Sequence, residues 1–303
     1  MSIHGILGEQ TTDYPTQYSP QTLYPIARSI GRDAIGWQQD KLAIGMDWWH
    51  AFEMSWLDTQ GISQVAMARF SVPATSRFIV ESKSLKLYLN SLNFTAFASW
   101  QQVRDLIAKD LSACVQADVQ VELIELEGLN TGESGLLITQ PEGVCIDGAL
   151  VAYKDKVALT LHPDASLLGN LPNTHTAVTK NKDTVITNRT KQNTEPFYTF
   201  YSNLLRSNCP VTNQPDWGTL AVTMSSIYPV NDADMLRYIL SFRQHNGFHE
   251  QCVEQIFADL SRHFQPSALM VRAWYTRRGG IDINPCRVSD LSLLPKPGRL
   301  IRQ

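Results

Sequence analysis

Two dodecamers far apart in the chain, QQVRDLIAKDLS (101–112) and EQCVEQIFADLS (250–261), align on their DLS triplets. Gln102 falls on Gln251, Ile107 on Ile256 and Leu111 on Leu260. Each has apolar residues at helical spacing; in the first, Val103, Leu106, Ile107 and Leu111 share one face with Asp110. The flanks match in order as well. SQVAMARFSVPATSRFIV, broken at a proline, reads as strand and precedes apolar LKLYLNSL and the first helix, and alternating VQVELIELE follows it as strand. LAVTMSSIYPV, DADMLRYILSFRQH, the second helix and ALMVRAWYTRR repeat strand, helix, helix, strand. Ser99 stands as an N-cap with Gln102 at the capping-box position. This order predicts a tandem duplication of one α+β unit.

The 303 residues suit two such units, with an N-terminal module over 41–168 and a C-terminal module over 197–303. Residues 1–40, rich in Tyr, Pro and Gln, read as an extended arm. Residues 169–196, rich in Asn, Thr and Lys, read as a linker or surface insertion. A net charge of -3 leaves no electrostatic footprint for nucleic acid, and no apolar stretch reaches the roughly 20 residues of a membrane span. The first residues lack the basic and apolar regions of a signal peptide. Five widely spaced cysteines without a CxxC pair argue against a disulfide framework and for a reducing cytoplasm.

Four stretches carry candidate chemistry. In SNCPVTNQPDWG (207–218), Cys209 is either a buried thiol in a turn or a nucleophile with Asp216 as its acid, and Trp217 and the prolines offer an apolar wall. In HNGFHE (245–250), His245 and His249 are spaced as zinc ligands on a helix, or His249 and Glu250 face a pocket where the carboxylate takes two N–H bonds from a guanine-like edge. FIVESKSLKLY (78–88) is either a solvated turn or a contact segment. TRRGGIDINPCR (276–287) sets arginines beside glycines, as a phosphate site does, or is a turn with exposed arginines. Neither GxGxxG after a strand nor GxxxxGK[ST] occurs.

Taken together, ESKSLKLY, SNCPVTNQPDWG, FHEQC and RRGGIDINP resemble the NADPH-dependent 7-cyano-7-deazaguanine reductases, nitrile reductases of the queuosine pathway, in their two-module form. The resemblance covers roughly residues 40–303. It implies an α+β tunnelling fold like that of GTP cyclohydrolase I, with antiparallel sheets and helices on one face, and a homodimer. It implies Cys209 as the nucleophile that forms a thioimide and Asp216 as proton donor. Val80, Glu81, Ser82, His249 and Glu250 become substrate contacts, and Ser82, Lys83, Arg278 and Gly279 NADPH contacts, with no metal or flavin required. Trp100 and Gln101 take the places of His249 and Glu250 in the first half. Alternatives are a zinc hydrolase on the same fold and a non-catalytic purine- or pterin-binding module.

Overall fold

The computed structural model describes residues 14–127, 136–153, 157–170 and 196–303. In chain order the strands are β1 (Pro25–Ala27), β2 (Gly45–Leu57), β3 (Ser63–Pro73), β4 (Phe78–Val80), β5 (Gln120–Ile124), β6 (Ile138–Thr139), β7 (Val144–Cys145), β8 (Phe197–Asn208), β9 (Pro215–Ser225), β10 (Ala268–Tyr275), β11 (Ile281–Val288) and β12 (Arg299–Leu300). The α-helices are α1 (Arg28–Ile35), α2 (Gln39–Leu42), α3 (Ser82–Asn90), α4 (Trp100–Val115), α5 (Asp232–Leu240) and α6 (His249–Phe264). This is a mixed α/β chain whose long strands pair antiparallel. Among the described residues no helix is long and apolar enough to cross a membrane.

Contacts divide the chain into two compact units. Unit 1 holds residues up to Thr139 with Thr276–Pro285 and Pro295–Gln303; unit 2 holds Gln140–Tyr275 with Cys286–Leu294. These differ from the expected modules. The RRGG segment, expected in the C-terminal module, packs in unit 1, and residues 140–168, expected in the N-terminal module, pack in unit 2.

In unit 1, β2 pairs with β3 and β3 with β5, both antiparallel, and the Phe52 N–H donates to Gly280 O beside β11. Trp49, Phe70, Tyr88, Ile107 and Leu111 belong to one core beneath α3 and α4. In unit 2, β8 pairs with β9, β9 with β10, and β10 with the Cys286–Val288 end of β11, all antiparallel; β7 runs parallel to β8. Phe200, Val222, Met224, Tyr238, Ile256 and Leu260 are buried there.

The two units repeat one another in detail. Each opens with a bulged hairpin, the register slipping between Ala51 and Met54 in β2 and between Ser202 and Leu205 in β8. Each then sets two helices against the hairpin. In unit 1 the Tyr88 hydroxyl donates to Asp110 Oδ2 at 2.7 Å; in unit 2 the Tyr238 hydroxyl donates to Asp259 Oδ2, also at 2.7 Å. Ser91 and Ser241 donate back to the carbonyls of Tyr88 and Tyr238, each at 2.6 Å. The aspartates of the two DLS triplets are thus the acceptors that lock the second helix of each pair to the first. Ser99 caps α4 by accepting the Gln102 N–H, while the Gln102 side chain reaches the Ala98 N–H.

The expected arm is not one over its described part. Residues 25–27 pair with β4, and α1 buries Arg28 and Arg32. Arg28 binds Asp47 at 2.6 Å and Arg32 donates to Ala74 O. Buried guanidiniums with fixed acceptors bind this segment into unit 1. Residues 1–13 and residues 171–195 of the expected linker lie outside the described residues.

Candidate active site

In unit 2 the hairpin β8–β9 carries the thiol and the acid. The Asn208–Pro215 rung is followed by a six-residue loop that begins at Cys209. The Cys209 N–H donates to Gln214 O and the Asn213 N–H to Cys209 O, both at 2.9 Å. Asn213 takes a left-handed φ of 55°, which asparagine tolerates better than most residues. One rung inward, Ser207 stands opposite Asp216. Cys209 thus stands at the mouth of the hairpin loop, one residue past the end of β8, and Asp216 is the second residue of β9, the strand that returns from that loop. Asp216 is therefore a buried strand residue and not part of a turn. Trp217 follows it on the opposite face and is 38% exposed, so it does not wall Asp216 as expected.

The wall is histidine and tyrosine instead. His249, at the first position of α6, lies 3.4 Å from Asp216 Oδ2 through Nε2 and stacks on the Tyr275 ring at 3.9 Å and 26°. Glu250 follows, 2% exposed, in the first helical turn, where the positive end of the helix dipole favours a carboxylate. The start of α6 is fixed by Gln251, whose side chain accepts the Phe248 N–H at 3.2 Å. It is also fixed by Gly247, where a Cβ would stand 2.7 Å from His245 Nε2. The chain at 245–247 clamps the end of β8: Asn208 N–H donates to His245 O and Gly247 N–H to Asn208 O. His245 sits before the helix, so His245 and His249 do not share a helical face as zinc ligands would. Among the described residues no three His, Cys, Asp or Glu side chains gather to hold a metal ion.

Of the cysteines near this hairpin, Cys209 is half-buried and Cys252 fully buried. Burial pushes the Cys252 thiol up to about 12, against bonds from Ser207 and Tyr275. Burial likewise pushes the Tyr275 hydroxyl well up. Cys252 is thus held as a neutral thiol.

In unit 1 the expected ESK contacts form the start of α3. Glu81 is its N-cap: one carboxylate oxygen accepts the Lys83 N–H at 2.9 Å, the other the Ser84 N–H at 2.7 Å. Burial raises the Glu81 carboxyl above its ordinary range, and the two N–H bonds oppose that rise. Val80 is a strand residue paired with Pro25, and its side chain packs in the core. Ser82 and Lys83 are half-buried on the first turn of the helix.

The Arg278–Ile281 segment is a two-residue hairpin turn, with Arg278 N–H to Ile281 O at 3.0 Å and Ile281 N–H to Arg278 O at 3.3 Å. Gly279 and Gly280 have φ of 59° and 79°, the conformation such a turn requires. A Cβ on Gly279 would lie 3.0 Å from Lys86 Nζ and one on Gly280 2.5 Å from the Glu53 carboxyl carbon, both ends of flexible side chains that can move aside, so the positive φ is what calls for glycine. The turn thus meets α3 one helical turn beyond Lys83. Exposed Arg278 and half-buried Lys83 and Lys86, the last 3.7 Å from Glu53 Oε2, gather donors of the kind suited to phosphates beside the glycine backbone.

Sequence reasoning placed Cys209, Asp216, His249 and Glu250 in one unit, and the structure groups them there. It did not reach Tyr275, which only the fold brings against His249; Ser207 stood in the SNCPVTNQPDWG stretch and Lys86 in the ESK segment, without roles. In unit 1, Trp56 and Trp100 occupy the places of Ser207 and His249 and pack edge to face at 4.9 Å, filling the corresponding space.

A family model described as nitrile reductase, 7-cyano-7-deazaguanine-reductase N-term, matches residues 14–123, and one described as QueF-like protein matches residues 215–291. Relatives named NADPH-dependent 7-cyano-7-deazaguanine reductase match over the full length of both chains: 71% identity in Psychrobacter cryohalolentis, 69% in Psychrobacter arcticus and 48% in Acinetobacter baylyi. The solved apo structure of the archaeosine synthase QueF-Like matches at 14% identity and a TM-score of 0.28, over 32% of this chain and 95% of that one, and bears no weight here. With both family models matched in order and full-length relatives at this identity, the chain belongs to the NADPH-dependent 7-cyano-7-deazaguanine reductases.

Proposed function

We propose that this protein reduces the nitrile of 7-cyano-7-deazaguanine to the aminomethyl group, with two NADPH per turnover, in queuosine biosynthesis. The observation that carries the reading is the identity of 71% over the whole chain to a relative of that name. The hairpin geometry supports it. A nitrile accepts hydride poorly until a nucleophile has added to its carbon. The Cys209 thiolate forms the C–S bond while Asp216, carried by the same hairpin, gives a proton to the nitrogen, leaving a thioimide. When bound, NADPH supplies two hydrides, one to the thioimide carbon and one to the imine left when the C–S bond breaks. The thiolate returns to Cys209, and two protons in all complete the amine.

Glu250 accepts the paired N–H groups of the deazaguanine edge, and Val80, Glu81 and Ser82 add substrate contacts. Ser82, Lys83, Arg278 and Gly279 take the cofactor phosphates. His249, stacked on Tyr275, holds the Asp216 carboxyl in place. The repeated hairpin and helix pair in each unit supports a tandem of tunnelling-fold modules with helices on one face. We further propose a cytoplasmic homodimer. The test is addition of 7-cyano-7-deazaguanine and NADPH to the purified protein. Loss of nicotinamide absorbance at two NADPH per nitrile is expected, and no nitrile-dependent oxidation would overturn the reading.

A further inference from the structure

Both arginines of the RRGG turn are exposed, and Arg277 meets neighbours within unit 1. Its guanidinium lies over the Phe52 ring, 4.2 Å from the centroid, and donates to the Gln303 main-chain oxygen at 3.4 Å. Arg299 does the same from the C-terminal segment: its guanidinium lies 5.0 Å from the Phe52 centroid and donates to the same Gln303 oxygen at 2.6 Å. Two cations thus share one ring and one acceptor. Burial and the charge of Arg277 both lower the Arg299 pKa.

The acceptor is itself anchored. The Gln303 side chain donates to Asn284 Oδ1 at 2.5 Å and accepts the Leu300 N–H at 2.9 Å. Asn284 donates to Asp282 Oδ1 at 2.6 Å, and Asp282 pairs with His50 Nδ1 at 2.8 Å. His50, Asp282 and Asn284 are fully buried, and Gln303 nearly so. Phe52 sits at the β2 bulge, where the extra residues re-aim side chains, and its N–H donates to Gly280 O at 2.9 Å. Every line of this network ends on the turn: through Arg277 at its start and through Gly280 at its tip.

We propose that Phe52, Arg277 and Arg299 are positioning residues for the cofactor. Phe52 and the Arg299–Gln303 segment brace the Arg278–Gly279–Gly280 turn in the shape that receives an NADPH phosphate. Arg277 and Arg299 spend their charge on Phe52 and Gln303, and Arg278 meets the ligand. This rests on the cofactor reading above. A turn held by two-residue hairpin bonds alone loses entropy on closing around a phosphate; a braced turn has lost it beforehand. Each cation–π contact is of a size that alters affinity a few-fold, so losing the ring should raise the KM for NADPH about three- to thirtyfold.

The experiment compares wild type, Phe52→Leu, Phe52→Tyr and Arg299→Met in NADPH titrations at saturating nitrile. In parallel, adduct formation on Cys209 is measured without NADPH. Phe52→Leu and Arg299→Met should raise the KM for NADPH and leave kcat within about twofold, with the adduct rate unchanged. Phe52→Tyr, which keeps the ring, should restore the wild-type KM. An unchanged KM in Arg299→Met, the milder change should Phe52→Leu fail to fold, overturns the bracing role. So does an equal fall of kcat and adduct rate in all three variants, which marks general damage. Failure of the cofactor reading would show differently, as a wild type that forms the adduct but oxidises no NADPH.

Discussion

Asp216→Asn separates the acid from everything else in the hairpin. The residue is 5% exposed, on the rung opposite Ser207, and asparagine matches its shape, so the ladder and the fold should persist. What is lost is the proton that quenches charge on the nitrile nitrogen as the thiolate attacks. General acid catalysis is worth about 10²–10⁴-fold, or roughly 3–5 kcal/mol of barrier. The amide also lacks the negative charge that the carboxylate sets 3.4 Å from His249 Nε2. The expected loss in adduct formation is therefore about 10²-fold or more, with the melting temperature nearly unchanged. The affinity for NADPH should not move, because Asp216 is not among its proposed contacts. The assay is single-turnover formation of the Cys209 adduct by quenched-flow and intact mass, from pH 5 to 9. Equal rates and identical pH profiles in wild type and variant would show that Asp216 is only a strand residue.

Other substitutions test the remaining parts. Glu250→Gln should weaken nitrile binding roughly ten- to a hundredfold, since one donor then replaces an acceptor against buried N–H groups; calorimetry with the substrate alone reads this. Arg278→Ala should raise the KM for NADPH far more than that for the nitrile in steady-state kinetics. Tyr238→Phe should cost about 1.5–3 kcal/mol, because its hydroxyl donates to the buried Asp259 carboxylate, and lower the melting temperature by roughly 3–12 °C. Tyr88→Phe should cost less, since Asp110 is only half-buried whereas Asp259 is buried; calorimetric scans of the two variants decide it.

The helices α4 and α6 were legible because their periodicity, caps and DLS triplets act locally, within a few turns. The strands β2 and β8 were not. Their bulges at Ala51/Met54 and Ser202/Leu205 shift the side-chain alternation midway, so neither reads with period two. Strand β11 was hidden by its polar residues. Asp282, Asn284 and Arg287 look like loop in sequence, yet all are fully buried. Asp282 finds His50 and Arg287 finds Glu254 at 2.8 Å, partners far away in the chain. The arm was read from its Tyr, Pro and Gln content, and what binds it lies elsewhere in the chain, where Arg28 meets Asp47 and Arg32 meets Ala74 O. At the site, the motif residues could be read singly. That Tyr275 backs His249, and that His249 stands beside Asp216, follows only from the fold.

The thioimide is tested most directly by intact mass of the protein mixed with 7-cyano-7-deazaguanine in the absence of NADPH. One added substrate mass is expected, mapping by peptide fragmentation to Cys209 and absent from Cys209→Ala. Cys252, buried with its thiol pushed up to about 12, should stay unmodified. No adduct under conditions where added NADPH drives turnover, or an adduct that persists in Cys209→Ala, would contradict the covalent mechanism.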